Sequence, residues 1–164
     1  GVDVTLVSGK KSTFYVNGKQ ITLHPEGLYL FAEALLDELD AMPEVPAIGG
    51  LTMGADPIAA AVCALSFQRG RPIDAFLVRK EPKGHGLGSA VEGELKEGQK
   101  VAVVEDTITT GGSAKKAIDA VMALGADPVV VFALVDREDE DAASFREEFD
   151  VRPVFTVSDL RGEG

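Results

Sequence analysis

The sequence predicts an α/β fold: a mainly parallel central sheet flanked by helices, Rossmann-like, with a small β region at the N-terminus. Short apolar runs alternate with helix-length segments, and glycine-bearing turns stand where several of those runs pass into helices. The chain has 164 residues, 45% of them hydrophobic, enough for one domain over residues 1–164 with a sizeable core. Strands joined through helices are brought parallel, and helices then cover both faces of the sheet.

Val4–Val7 and Phe14–Val16 read as short strands about the turn Ser8-Gly9-Lys10, and Gln20–Leu23 as a third, within an N-terminal region of residues 1–24. Pro25–Leu39 carries Leu28, Phe31, Ala32, Leu35, Leu36 and Leu39 at spacings of three and four, an amphipathic helix. Val45–Ile48 is a strand ending in Gly49-Gly50, and Pro57–Phe67 a small-residue helix with Pro57 in its first turn. Ile73–Val78 is a strand. Arg79–Ser89, inside a glycine-interrupted stretch extending over residues 79–92, has no apolar period and is expected to be a flexible loop. Lys100–Val104 is a strand, Gly112–Leu124 a helix, Pro128–Val135 a buried strand, Ala142–Phe149 a short helix and Val154–Val157 a last strand.

The formal net charge of −11 disfavours a nucleic-acid partner, because counterion-release binding needs a concentrated basic face. No apolar stretch approaches the roughly 20 residues of a membrane span, and no basic segment followed by an apolar run suggests secretion. A single cysteine, Cys63, cannot close an internal disulfide and fits a reducing, cytoplasmic setting. Cys63 reads as a small core residue and His24 as part of a helix start. The acids crowd near the C-terminus, whereas Arg79, Lys80, Lys83, Lys96 and Lys100 gather mid-chain. An acidic protein that handles an anion must keep its cations local, so that cluster is informative.

In parallel sheets, ligands sit beyond the carboxyl ends of the strands. Four segments fall there: Gly49–Gly54, Arg79–His85, Glu105–Ser113 and Asp136-Arg137. In the third, Glu105 and Asp106 follow an apolar strand, and Thr109-Thr110-Gly111-Gly112-Ser113 leads into a helix. Glycines let backbone N–H groups face an anion, hydroxyls add donors, and the helix N-terminus supplies positive potential. A phosphate satisfies such a turn, and the neighbouring carboxylates can accept hydrogen bonds from sugar hydroxyls. An ordinary strand–turn–helix with Ser113 near its start is the plainer alternative. The loop Arg79–Gly86 brings Arg79, Lys80, Lys83 and His85 to a strand end, where cations can close over a departing anion; a solvated lysine-bearing loop is again the plainer reading.

Val103–Ser113 resembles the phosphoribosyl-pyrophosphate (PRPP) signature of type I phosphoribosyltransferases, and the similarity is greatest to orotate phosphoribosyltransferases. That resemblance implies that Glu105 and Asp106 meet the ribose hydroxyls, and that Thr107 and Thr109–Ser113, with Thr110, Gly111 and Gly112 between, belong to the PRPP site. Arg79-Lys80-Glu81-Pro82-Lys83-Gly84-His85-Gly86 resembles the family's catalytic loop, which closes over the neighbouring subunit's site and so implies a homodimer with shared active sites. Gly49–Pro57 is similar to the pyrophosphate-binding loop, in which many relatives carry a lysine; here Thr52 and backbone groups take its place.

By the same resemblance Arg137 helps hold orotate, whose carboxylate suits a guanidinium, although a salt-bridged surface arginine has the same sequence appearance. Ser8–Val16 resembles the hairpin that forms a hood over the base. Phe14 and Tyr15 could stack there or pack in a core, and Val7 stands where some relatives have lysine. Thr109 is also placed near orotate. The implied activity joins orotate to PRPP, forming orotidine 5′-monophosphate and pyrophosphate, with Mg2+ as cofactor and Lys80, Lys83, His85 and Asp106 as the catalytic groups. The oxygens of PRPP are expected to provide most of the metal's coordination, and the sequence singles out no protein ligand for it. Another purine or pyrimidine base, or a PRPP-sensing regulator without catalysis, stays open from the residues alone.

Overall fold

The computed structural model describes residues 4–5, 11–12, 16–81 and 90–162. A small antiparallel pair, β1 (Val4–Thr5) and β2 (Lys11–Ser12), stands apart from the main sheet. Residues 13–15 lie outside the described residues, so the expected strand Phe14–Val16 is seen only at Val16, which has no regular structure.

Gln20–Leu23 is not a strand. Lys19–Thr22 forms a short helix, α1. The alternation of Gln20, Ile21, Thr22 and Leu23 looks extended, but local hydrogen bonding prevails. The Lys19 and Gln20 amides donate to the Asn17 side chain and carbonyl, and Thr22 N–H donates to Gly18 O at 2.9 Å. His24 then caps α2 (Pro25–Asp40), its Nδ1 accepting from Gly27 N–H at 3.4 Å.

The main sheet contains β3 (Ala47–Leu51), β4 (Asp74–Val78), β5 (Val91–Glu92), β6 (Lys100–Ile108), β7 (Asp127–Asp136) and β8 (Val151–Thr156). Their spatial order is β5-β4-β3-β6-β7-β8; β5 alone runs antiparallel, as a short edge on β4. The helices between them are α3 (Asp56–Gln68), α4 (Gly112–Met122) and α5 (Ala143–Glu148), and α6 (Val157–Arg161) follows β8. The predicted α/β architecture is therefore observed. The expected strand Val154–Val157 is displaced, because Thr156 and Asp159 form a reciprocal cap that starts α6 at Val157.

Side chains alternate across β6. Ala102 and Val104 pack with Phe31, Leu35, Leu36, Ile58 and Val62 of α2 and α3. Val101 and Val103 pack with Ala117, Ile118 and Val121 of α4 on the other face. Gly49 and Gly50 lie inside β3 instead of ending it. A Cβ on Gly49 would overlap Phe76, and one on Gly50 would meet Val104 O and Ala55, so only glycine admits these neighbours. Cys63 is half-buried on α3.

Candidate active site

The central strand β6 runs to Ile108, four residues beyond the expected end at Val104. Glu105 and Asp106 are thus inside the strand, not past it. Pairing with β7 continues through Glu105 opposite Ala133 and Ile108 opposite Asp136. Main-chain pairing with a long neighbour, which hydropathy does not record, carries the acids in the sheet's carboxyl edge.

Strand alternation then separates the two carboxyls. Glu105 follows Val101 and Val103 toward the α4 face, where with Thr107 it lines a depression of about 40 Å³ closed by the turn Thr109–Gly111 and the start of α4 at Gly112 and Ser113. Asp106 follows Ala102 and Val104 and accepts a hydrogen bond from Lys19 Nζ at 2.9 Å. Both acids still reach the β3–α3 loop: a Cβ on Gly54 would stand 3.2 Å from Asp106 Oδ1 and 3.6 Å from Glu105 Oε2.

The turn is built as the sequence predicts. Gly111 takes φ +77°, a left-handed conformation natural to glycine, directly before α4. Gly112 N–H donates to Thr110 Oγ1 at 3.3 Å. Thr109 and Thr110 are exposed, as are Gly112 and Ser113 at the helix start. On two of the residues that line it, Glu105 Oε1 and Thr107 Oγ1 are buried with no hydrogen-bond partner among the described residues. Buried polar atoms left in this state mark a place for ligand hydroxyls or water.

Burial pushes the Glu105 carboxyl up to about 8, and the negative Asp106 beside it adds to the rise; Lys19 and then Lys80 oppose it more weakly. A carboxyl raised this far favours its protonated form well above the ordinary range of a glutamate, so it can donate as well as accept.

A wider hollow of about 430 Å³ lies beyond β3 and β4, lined by Thr52, Leu77, Arg79, Lys80, Glu81 and Glu92. Thr52 N–H donates to Val78 O at 2.9 Å, fixing the β3–α3 loop against β4; the Thr52–Met53 peptide is cis. Arg79 donates from Nε to Glu92 Oε1 at 2.8 Å, and its backbone N–H donates to Ala90 O at 2.7 Å. These bonds tie residue 79 to Ala90 and to Glu92 on β5. Lys80 is exposed on the rim. Lys83 and His85 lie outside the described residues, as do Phe14 and Tyr15.

Arg137 is brought beside the turn because its backbone N–H donates to Ile108 O at 3.0 Å, which makes it a neighbour of Thr109. Its side chain is 8% exposed, with Nε 3.7 Å from Asp139 Oδ2. Asp136, buried, is held by Arg146 Nη1 at 3.2 Å, and its Oδ1 accepts from Glu138 N–H at 2.8 Å. The sequence alone does not single out Lys19 or Arg146. Asn17-Gly18 is a turn signal, but nothing local says that the following lysine meets an acid 87 residues away.

An acid pair at the end of the central parallel strand, a hydroxyl-rich turn at a helix N-terminus and a close backbone loop on the adjoining strand together define a type I phosphoribosyltransferase. The orotate phosphoribosyltransferase of Rhodopirellula baltica is 42% identical over 166 residues, covering 96% of this chain and 85% of that protein. That of Aquifex aeolicus is 47% identical over 156 residues, covering 94% and 85%. The chain belongs to the orotate phosphoribosyltransferase family. Among solved structures, Mycobacterium tuberculosis orotate phosphoribosyltransferase in complex with PRPP matches with a TM-score of 0.74 and 41% identity, covering 89% of this chain and 82% of that one. The adenine phosphoribosyltransferase of Leishmania tarentolae, at 19% identity and a TM-score of 0.66, shares the fold. No protein-family model matches the chain.

Proposed function

We propose that the protein transfers the 5-phosphoribosyl group of PRPP to orotate, releasing pyrophosphate and forming orotidine 5′-monophosphate for UMP biosynthesis. The observation that carries this reading is the depression at Glu105–Ser113, closed by a helix N-terminus and lined by Glu105 and Thr107, whose Oε1 and Oγ1 are buried with no partner among the described residues.

The 5′-phosphate fits the turn. Backbone N–H groups at Thr110–Ser113, the Thr109, Thr110 and Ser113 hydroxyls and the first turn of α4 all favour an anion there. Glu105 and Asp106 stand one strand pitch away, in reach of the ribose hydroxyls. Reaction breaks the bond between the anomeric carbon and the pyrophosphate oxygen and forms one from that carbon to a ring nitrogen of orotate. Positive charge develops on the ribose and is stabilised by the carboxyl edge of β6; negative charge moves onto pyrophosphate. Lys80, Lys83 and His85, with Arg79 in support, receive that charge, while Thr52 and the loop backbone hold the diphosphate. Arg137 and Thr109 orient the orotate carboxylate, and Phe14 and Tyr15 cover the base.

The described residues contain no group of three His, Cys, Asp or Glu side chains that could hold a metal by themselves. Mg2+ would be carried on the oxygens of PRPP, where it would neutralise the diphosphate. The same reading makes the protein a cytoplasmic homodimer with shared sites that acts on small molecules, not on nucleic acid or membranes. Among the described residues no helix is long and apolar enough to cross a membrane.

Incubation with PRPP, Mg2+ and orotate should release pyrophosphate and yield orotidine 5′-monophosphate, with uracil, adenine and hypoxanthine giving far less. Equal turnover of another base would overturn the orotate assignment. Lys83→Ala should lower turnover by roughly 10²–10³ without loss of folding; near-normal kinetics would remove the catalytic role of the loop.

A further inference from the structure

Resting on the proposed transfer reaction, we propose that Lys19 is a positioning residue for it, holding Asp106 by one carboxylate oxygen so that the other is offered to the ribose of PRPP. The two oxygens of Asp106 have different surroundings. Oδ2 accepts from Lys19 Nζ at 2.9 Å, while Oδ1 faces Gly54, 3.2 Å from where a Cβ would stand. A carboxylate clamped at one oxygen loses the freedom to rotate, and a charge-assisted bond to an ammonium holds it more firmly than a neutral donor would.

The lysine is delivered by close backbone packing. A Cβ on Gly18 would lie 2.8 Å from Thr107 Oγ1 and 3.2 Å from Asp106 O, so the turn before α1 rides directly on the end of β6. The Lys19 amide donates to Asn17 Oδ1 at 3.2 Å, which starts α1 at that point. Lys19 is half-exposed whereas the Asp106 side chain is 12% exposed. The cation can therefore be seated from outside without the desolvation cost that a buried lysine incurs. Among the described residues, the charged groups facing the acid pair are Lys19 from α1 and Lys80 from the end of β4; Glu105 and Asp106 face one another from β6.

The test is steady-state kinetics of Lys19→Met, Lys19→Gln and Lys19→Arg across pH. Removing the charge should raise the KM for PRPP by about tenfold, with a smaller change in kcat, because the interaction orients the bound ribose. The acidic limb of kcat/KM for PRPP should move to higher pH in Lys19→Met and Lys19→Gln, since Glu105 loses a cation that favours its charged form. Lys19→Arg should restore both. An active wild-type enzyme whose Lys19→Met variant keeps the original KM and pH limb overturns the proposal and leaves the function intact. A wild-type protein that forms no orotidine 5′-monophosphate overturns both.

Discussion

Gly111 and Phe145 are packed so closely that the glycine has no room for a side chain: a Cβ there would lie 2.7 Å from ring atom Cδ1. The phosphate turn is thus backed by the first ring of α5, which itself stacks with Phe149 at 5.0 Å between centroids. Gly111→Ala meets two penalties, a left-handed backbone at φ +77° costing about 1–2 kcal/mol and overpacking costing about 1–3 kcal/mol. Urea unfolding should show a loss of about 2–5 kcal/mol, together with a raised KM for PRPP. Combining it with Phe145→Ala should recover part of the loss, a coupling of about 1 kcal/mol or more. Additive effects would show that the ring does not constrain the turn.

Much of this arrangement is legible in the sequence because it is local. The order of strands and helices follows from apolar periodicity, and the turn Thr109–Ser113 declares itself through glycines and hydroxyls placed before a helix. The boundaries that were misread depend on partners distant in sequence. Lys100–Val104 appears to stop at the acids because Glu105 and Asp106 are polar, yet β7 pairs with β6 as far as Ile108. Gln20–Leu23 alternates like a strand, but a turn at Asn17 and contact between Gly27 and Ile21 favour a helix. Lys19 was invisible as a site residue for the same reason: its partner is set by topology.

The raised carboxyl of Glu105 gives the stability a definite pH dependence. Between its ordinary value of 4.5 and about 8, the folded protein keeps a proton that the unfolded chain has lost. Protons bound preferentially by the native state make stability fall as pH rises through that window. Glu105→Gln removes this contribution while retaining a polar, nearly isosteric group. The melting temperature of the wild type should therefore decline more steeply than that of Glu105→Gln between about pH 5.5 and about pH 8. Parallel curves in scanning calorimetry would show that Glu105 does not carry the dependence.

Lys80 and Arg79 both line the large hollow, but Arg79 is joined to Glu92 at 2.7 Å, whereas Lys80 is exposed and makes no ion pair among the described residues. The two cations should accordingly behave differently. Lys80→Ala is expected to lower kcat by roughly 10–10² with an unchanged melting temperature, because the proposed reaction gives its charge to the departing pyrophosphate. Arg79→Ala should lower the melting temperature as well, since it breaks the tie to Glu92 on β5. Equal kinetic and thermal profiles for the two variants would contradict this division.

Asp136 and Arg146 supply a test of how Arg137 is held. Asp136 ends β7 with its side chain 4% exposed, and Arg146 meets it from α5 while Nη2 donates to Asp139 O at 2.9 Å. One guanidinium thereby joins the residues on either side of Arg137. Glu138, at φ +57°, completes the turn by accepting from Ser158 N–H at 2.8 Å. Removing Arg146 leaves Asp136 buried beside a single backbone donor, at a cost of about 1–3 kcal/mol, because a buried acceptor loses a charged partner. Arg146→Leu keeps much of the volume and isolates the loss of charge. It should reduce stability by that amount in chemical denaturation and raise the KM for orotate several-fold more than the KM for PRPP, since Arg137, not the phosphate turn, loses its support. Arg146→Lys should recover stability only in part, because an ammonium cannot span Asp136 and Asp139 together. If the two KM values rise equally, the network supports the sheet edge as a whole and not the orotate side of the site.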